Sequence, residues 1–358
     1  MAIEIDNLNM ADVLVSICIP TYNGEKYIEE CLQSALNQTY PRIEIVICDD
    51  YSIDRTIEIV QTFQTKDNRI KLFTNTSNNG LSANWNKNIE VAQGEWIKFV
   101  FQDDVIQPDC IAKMMEQRDR SKLIVCEREF VFEPDTEDRV IANYGRLHRL
   151  YQVLPGNSIT CLSPGQISKL IGQKFPHNFI GEPSSLLFSK ECFSIYGGFL
   201  SDLSQMVDYE FSLRLAVNEG LCYLPKKLVS FRVHRSSTTQ SNISTKYFAF
   251  EFGDKIILSY RLLHEPLFFK YKRVNSRLNL FFIRVYMYYL AAMALIFVRK
   301  HKQNNKLQTE YMNLVNNYKG IDKYSSFSIF FKVIDLVIGT RRRLRNYLVP
   351  KFKTEGHN

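Results

Sequence analysis

An α/β fold is what this sequence predicts: a doubly wound, mostly parallel sheet flanked by helices, with a helical C-terminal extension. Three observations carry that expectation. Short apolar, β-branched runs alternate with segments of helical periodicity through the first hundred or so residues. Three of those runs end in polar loops rich in Asp, Asn and Ser. Beyond about residue 245 the pattern turns helical, aromatic and basic.

The elements follow in order. Residues 13–19 (Val-Leu-Val-Ser-Ile-Cys-Ile) are a buried-strand run closed by Pro20. Residues 25–38 place Ile28, Cys31, Leu32, Ala35 and Leu36 at helical spacing. Residues 43–48 predict a second strand, 54–65 a helix, 70–73 a brief strand, 81–92 a helix and 96–101 a fourth strand. Another strand is expected over 122–128. Loops and short helices are expected over 133–183, where Pro, Gly, Asn and Ser accumulate. A strand over 185–188, a short helix over 190–196, a helix over 208–219 stopped by Gly220, and a last strand over 228–233 complete the core. The expected organisation is an N-terminal extension (1–12), a core (13–240) with halves 13–120 and 121–240, and a helical region (241–358). In such sheets ligands bind beyond the carboxyl ends of the strands, so chemistry is sought there.

The chain has 358 residues, 45% of them hydrophobic, enough for one large α/β domain with an appendage. Charge is unevenly spread. Residues 1–254 carry 25 Lys and Arg against 33 Asp and Glu, and residues 255–358 carry 20 against 5. The basic end suggests an anionic partner, a membrane face or a nucleic acid. Eight cysteines without a Cys-x-x-Cys pair, several inside apolar runs, read as buried free thiols in a reducing compartment. The first residues have no secretory-signal pattern, and a cytoplasmic protein is expected.

The candidate chemistry lies at strand ends. The first strand leads into Pro20-Thr21-Tyr22-Asn23-Gly24, the second into Asp49-Asp50-Tyr51-Ser52-Ile53-Asp54, the fourth into Gln102-Asp103-Asp104. Asp54 reads as a cap for the helix it begins. Adjacent carboxylates at Asp103 and Asp104 repel each other at a buried strand end, and a divalent cation would remove that cost; oxygen ligands suit Mg²⁺ or Mn²⁺ rather than zinc. The plain alternative is a pair of turn formers. There is no Gly-x-Gly-x-x-Gly after a strand and no Walker-type lysine loop.

Together, 15–24, 44–54, 79–104 and 181–234 resemble the family-2 glycosyltransferases of GT-A fold, in order and at matching spacing. The resemblance implies that Pro20 and Tyr22 line a nucleotide base and that Asp50 accepts a hydrogen bond from it. It implies that Asp103 lies against ribose or sugar, that Asp104 binds the cation bridging a diphosphate, and that His234 stands near that cation. Asp208, opening the helix Asp208-Tyr209-Glu210-Phe211, corresponds to the family's catalytic aspartate, preferred here over Glu210; a helix cap is the plain alternative. Glu182 reads equally as a sugar-hydroxyl contact or a turn acid. Arg232, with Arg235, puts positive charge beside the expected diphosphate. Two departures stand out. Tyr51 occupies a position where Gly is common, and Trp85 lies where relatives carry Arg-Asn; Trp85 either stacks on a ring or packs in the core. The Gln-x-x-Arg-Trp motif of processive synthases is missing.

The resemblance implies an inverting transfer from a nucleotide-diphosphate sugar to an acceptor hydroxyl. With the basic tail, it suggests assembly of a bacterial surface polysaccharide on a lipid-linked acceptor at the inner face of the cell membrane. A nucleotidyltransferase and a non-catalytic sugar-nucleotide-binding scaffold are the rival readings. In the tail, 278–298 is apolar but interrupted by Arg284, which favours a buried or interfacial helix over a span. A second apolar piece, 327–338, runs into basic residues 341–345. Membrane contact competes with a plain helical packing role. No nucleic-acid module is recognisable, so no nucleic-acid partner is expected.

Overall fold

The computed structural model describes residues 13–145, 150–154, 158–235, 237 and 247–321. The expected N-terminal extension, the second apolar piece and the basic run after it lie outside these residues.

β1 (Val15–Thr21) is buried at every position, as a central strand with both sheet faces covered must be. α1 (Ile28–Leu36), β2 (Ile43–Asp49), α2 (Thr56–Gln64), β3 (Ile70–Thr74), α3 (Leu81–Val91) and β4 (Trp96–Phe99) follow close to their expected places. β1 lies between β2 and β4, parallel to both, and β2 is parallel to β3. Alternate residues of β1 serve opposite faces: Val15, Ile17 and Ile19 join one apolar layer and Cys18 the other.

The other half of the sheet mixes directions. After β5 (Val105–Ile106) and α4 (Cys110–Met115), β6 (Leu123–Phe132) runs antiparallel to β8 (Leu186–Ser189), which is itself antiparallel to β4. β9 (Leu221–Val233) is parallel to β6 and antiparallel to β5. The strand order is β3-β2-β1-β4-β8-β6-β9-β5, with β7 (Thr160–Leu162) beside β9. β9 begins well before the expected residue 228, because a register shift near Cys126 to Arg128 lets it pass the Lys226-Lys227 break and keep pairing with β6.

The stretch expected to be loops and short helices holds α5 (Asp138–Gly145), α6 (Leu150–Val153), β7 and a full helix, α7 (Pro164–Lys174). Ser163 and Gln166 form a reciprocal capping box, with Pro164 in the first turn. α8 (Glu191–Tyr196) and α9 (Val207–Glu219) complete the core. The cysteine expectation needs one correction. Cys161 and Cys222 face each other across the antiparallel β7–β9 pair and are disulfide-bonded. Cys18, Cys31, Cys48, Cys110, Cys126 and Cys192 are buried free thiols, as expected.

α10 (Asp254–His264), α11 (Phe269–Val274), α12 (Arg277–Lys300) and α13 (Asn305–Asn317) pack on the side of the sheet that holds α7 and α9. One apolar cluster runs from Phe99 and Phe188 through Phe211 and Leu215 to Ile256, Met287 and Leu314. α12 continues through Arg284, which is exposed, and buries Ile283, Met287, Leu290, Ala291, Ala294 and Val298. Its length and composition would suffice to cross a bilayer, yet one face is committed to the protein core.

Candidate active site

Three parallel strands end on one edge, and their loops are stitched together. The Tyr22 amide donates to Gln102 Oε1 at 2.9 Å and Gln102 Nε2 donates to the Tyr22 carbonyl at 3.1 Å, joining the ends of β1 and β4. A β-carbon at Gly24 would sit 2.3 Å from Gln102 Oε1, so a larger residue there would push the Gln102 side chain off Tyr22. Asp49 is fully buried and accepts from Thr21 Oγ1 (2.7 Å) and from the Ser52 amide (2.8 Å) and hydroxyl (2.5 Å), so it holds its own loop. Asp54 lies one residue before the N-cap of α2, Arg55, and accepts from the Thr56 and Glu25 amides, both at 3.0 Å, so it forms the turn into the helix rather than its N-cap.

Asp50 is 3% exposed, and its carboxylate organises residues 75–80. Oδ1 accepts from Asn75 Nδ2 and the Asn79 amide, and Oδ2 from the Gly80 amide, all at 2.9 Å. Tyr51 takes φ 70°, the left-handed backbone that Gly would supply at its familiar position, so this departure preserves the turn. Tyr22 and Tyr51 are both about half exposed at this rim. Pro20 is buried near the end of β1, opposite Cys48. Trp85 packs, with its ring 4.9 Å from Phe101 and 5.0 Å from Phe199.

The two adjacent acids part company. Asp103 keeps 22% of its side chain exposed, and its Oδ2 lies 2.9 Å from Nε2 of His234. His234 packs its ring on Tyr27, with centroids 4.8 Å apart. Asp104 is fully buried; its Oδ2 accepts from Ser184 Oγ at 2.5 Å and its Oδ1 from the Arg232 amide at 3.0 Å. Burial, then the Asp103 charge, push the Asp104 carboxyl well above the usual range, against those two hydrogen bonds. Ser184 is itself fixed, since its carbonyl accepts from the buried Lys98 ammonium. The Arg232 guanidinium is occupied: it meets Glu30 and Glu133 and donates to the Asp103 carbonyl at 3.1 Å.

Asp208 is the second residue of α9 and is partly exposed. Its Oδ1 accepts from the Tyr209 amide at 2.7 Å. Burial, then the neighbouring Glu182 charge, raise its carboxyl to about 7; Arg128 pulls the other way. Glu182 pairs with Arg128, whose Nη2 donates to Glu182 Oε1 at 3.2 Å. The same Glu182 charge raises Asp104. The Glu182 charge is thus felt at both Asp104 and Asp208. Glu210 is a different case: fully buried, it pairs with Arg214 at 2.7 Å. Arg214 also donates to the carbonyls of Gly197 (3.0 Å) and Gly198 (2.7 Å), fixing the turn after α8.

Tyr144 on α5 carried no sequence signal. Its ring lies 5.0 Å from that of Phe130, and burial followed by the charges of Glu182, Asp103 and Asp104 pushes its hydroxyl up to about 12. Asn86 was also unforeseen. It clasps Phe199 both ways, accepting from its amide at 2.7 Å and donating to its carbonyl at 2.8 Å, and so ties α3 to the segment before α9.

Among the described residues, no three His, Cys, Asp or Glu side chains gather into a ready cation cage. Asp103 and His234, hydrogen-bonded to each other, are two side chains that could offer donors to a cation. That number fits a Mg²⁺ or Mn²⁺ ion whose other positions go to substrate phosphates and water, as such ions are commonly held.

The mixed sheet with helices on both faces and a helical C-terminal region has the GT-A architecture. The fold matches that of Staphylococcus aureus TarS, solved in complex with UDP-GlcNAc, with a TM-score of 0.56 over 85% of this chain and 80% of that one, at 18% identity. Residues 16–178 match the model of glycosyl transferase family 2. An uncharacterized Mycobacterium tuberculosis protein, MT1568, is 31% identical over 242 residues, 68% of this chain and 74% of that protein. The putative glycosyltransferase EpsH of Bacillus subtilis is 33% identical over 231 residues, 63% of this chain and 62% of EpsH. This chain belongs to glycosyltransferase family 2.

Proposed function

We propose that the protein transfers a sugar, with inversion, from a nucleotide-diphosphate sugar to an acceptor hydroxyl, with Asp208 as the general base. The observation that carries this is the placement of Asp208: partly exposed in the first turn of α9, with Oδ1 held by the Tyr209 amide. A carboxyl raised to about 7 at the start of a helix, beside the Glu182–Arg128 pair, is poised to take a proton near neutral pH. In this reading the donor base lies on the rim between Tyr22 and Tyr51, in the turn that Asp50 organises. Pro20 acts only as strand. Asp103 and His234 would hold a divalent cation, which would supply positive charge to the donor diphosphate; Asp104, turned inward, holds Ser184 and β9 in place. The bound ion would neutralise charge on the departing diphosphate. Glu182 and Arg128 border the sugar, Arg232 fixes the loop that carries Asp103, and Trp85 supports the wall behind it. Asp208 then draws the acceptor proton as the hydroxyl oxygen attacks the anomeric carbon from the side opposite the diphosphate.

UDP-GlcNAc in the TarS complex and the naming of EpsH as a putative glycosyltransferase support a nucleotide-sugar donor in this reading. A lipid-linked saccharide at the inner membrane face is the acceptor setting proposed here. Exposed Phe269, Leu278 and Phe281, with exposed Arg273, Arg277 and Arg284 among them, give α11 and α12 an apolar and basic surface suited to an anionic leaflet.

The test is a panel of nucleotide sugars with Mn²⁺, read first by thermal shift and then by NMR of the products. One donor should raise the melting temperature and yield free nucleoside diphosphate with an inverted anomeric centre. A retained centre would overturn the mechanism. A nucleotidyl product would overturn the reaction type.

A further inference from the structure

Asp254 opens α10 in the C-terminal region, yet its carboxylate serves the segment just ahead of α9. Oδ2 accepts from the amides of Ser204 (3.0 Å), Gln205 (2.5 Å) and Met206 (2.8 Å), and Oδ1 also accepts from Ser204 at 3.1 Å. The residue is 1% exposed. Three successive amides aimed at one carboxylate offset the cost of burying its charge. α9 has no side-chain cap of its own at Met206; Asp254, from a distant element, binds the amides of this N-cap residue and of the two residues before it, anchoring the entry into the helix. Asp208 follows two residues after Met206.

Further ties reach the same helix. Arg261 Nη2 pairs with Asp202 at 2.7 Å, and the Tyr318 hydroxyl also meets Asp202. At the far end of α9, Asn218 Nδ2 donates to the Leu267 carbonyl at 2.9 Å, and Lys270 Nζ donates to the Asn218 carbonyl at 2.8 Å. Both ends of α9 are thus held by residues beyond 250.

We propose that Asp254 is a positioning residue for Asp208, and that the C-terminal helices act as a strut setting how deeply Asp208 sits in the cleft. The proposal rests on the reading of Asp208 as the base and gives the extension a part in that chemistry. Placement matters because a displacement of about 1 Å at a reacting group costs about 10²-fold in rate. A carboxylate released toward water also returns to ordinary acidity.

The test uses full-length Asp254→Ala and Asp254→Asn with two readouts independent of turnover. These are the ¹³C carboxyl NMR titration of Asp208 and hydrogen exchange across residues 203–211. In Asp254→Ala the Asp208 midpoint should fall by about one pH unit or more. Exchange in that segment should speed up by about tenfold. Asp254→Asn, which keeps one acceptor oxygen, should fall between Asp254→Ala and the native protein, and it carries the same test should the alanine variant fail to fold. Affinity for UDP with Mn²⁺ should stay within about threefold, certifying an intact donor side. A native Asp208 midpoint and native exchange in both variants would overturn the strut while leaving Asp208 as the base. Full turnover by Asp208→Asn would instead remove the base, and the strut's purpose with it.

Discussion

Nε2 of His234 lies 2.9 Å from Oδ2 of Asp103, joining the end of β9 to the loop after β4, while the next acid, Asp104, points into the protein. The pair divides the two carboxylates into one that stays partly exposed and one that is buried in the frame. Asp103→Ala should therefore weaken Mn²⁺-dependent UDP binding by about tenfold or more and barely move the melting temperature. Asp104→Ala should do the reverse, costing about 2–4 kcal/mol of stability by stranding the Ser184 hydroxyl and the Arg232 amide. Calorimetry and denaturant melts on both variants check the division.

The pH dependence of turnover should follow Asp208. A base must be ionised, so kcat should rise with pH through about 7, the value to which burial and Glu182 bring this carboxyl. Removing the Glu182 charge in Glu182→Gln should move that limb to lower pH. A stopped assay from pH 5.5 to 8.5 reads both profiles.

The same shift has a consequence for stability. In the unfolded chain Asp208 ionises near pH 4, and in the fold near 7. Between those values the unfolded state releases its proton first, so this residue's contribution falls as pH rises and reaches its lowest level above 7. Asp208→Asn should gain on the native protein between pH 5 and pH 8 by about 1–3 kcal/mol, after allowing for partial solvent exposure. Paired melts at the two pH values show whether the gain appears.

Tyr51 holds a left-handed backbone that favours glycine. Tyr51→Gly should stabilise the fold by about 0.5–1 kcal/mol. If the ring borders the donor base, the same change should weaken UDP binding. Melting and calorimetry on one variant separate the two effects.

Membrane contact through α11 and α12 is checked by sedimentation with phosphatidylglycerol vesicles. Leu278→Ser combined with Phe281→Ser, both exposed in the native fold, should lower binding by about tenfold without loss of stability. Binding should also weaken with salt, since basic side chains contribute through a screened field.

The first half of the fold was legible because its central strands β1 and β2 are largely apolar, β-branched runs ended by polar turns. Legibility faded where polar residues interrupt a pattern. Lys226 and Lys227 hid the first half of β9, which pairs on only because of the bulge beside it. α7 had a readable signal in Ser163-Pro164-Gly165-Gln166, a capping box masked by surrounding loop-forming residues. Cys161 and Cys222 are 61 residues apart, and their meeting depends on β7 lying beside β9. The candidate acids were legible as a set, whereas the choice between Asp103 and Asp104 depends on which way a strand-end turn faces. Tyr144, Asn86 and Asp254 belong to no local motif; only packing brings them to the site.

Turnover by Asp208→Asn tests the central claim most directly, with the donor identified from the nucleotide-sugar panel and its affinity measured in parallel. A fall in kcat of about 10²–10⁴-fold with donor affinity nearly unchanged is the expected result. Native turnover by this variant would contradict the account.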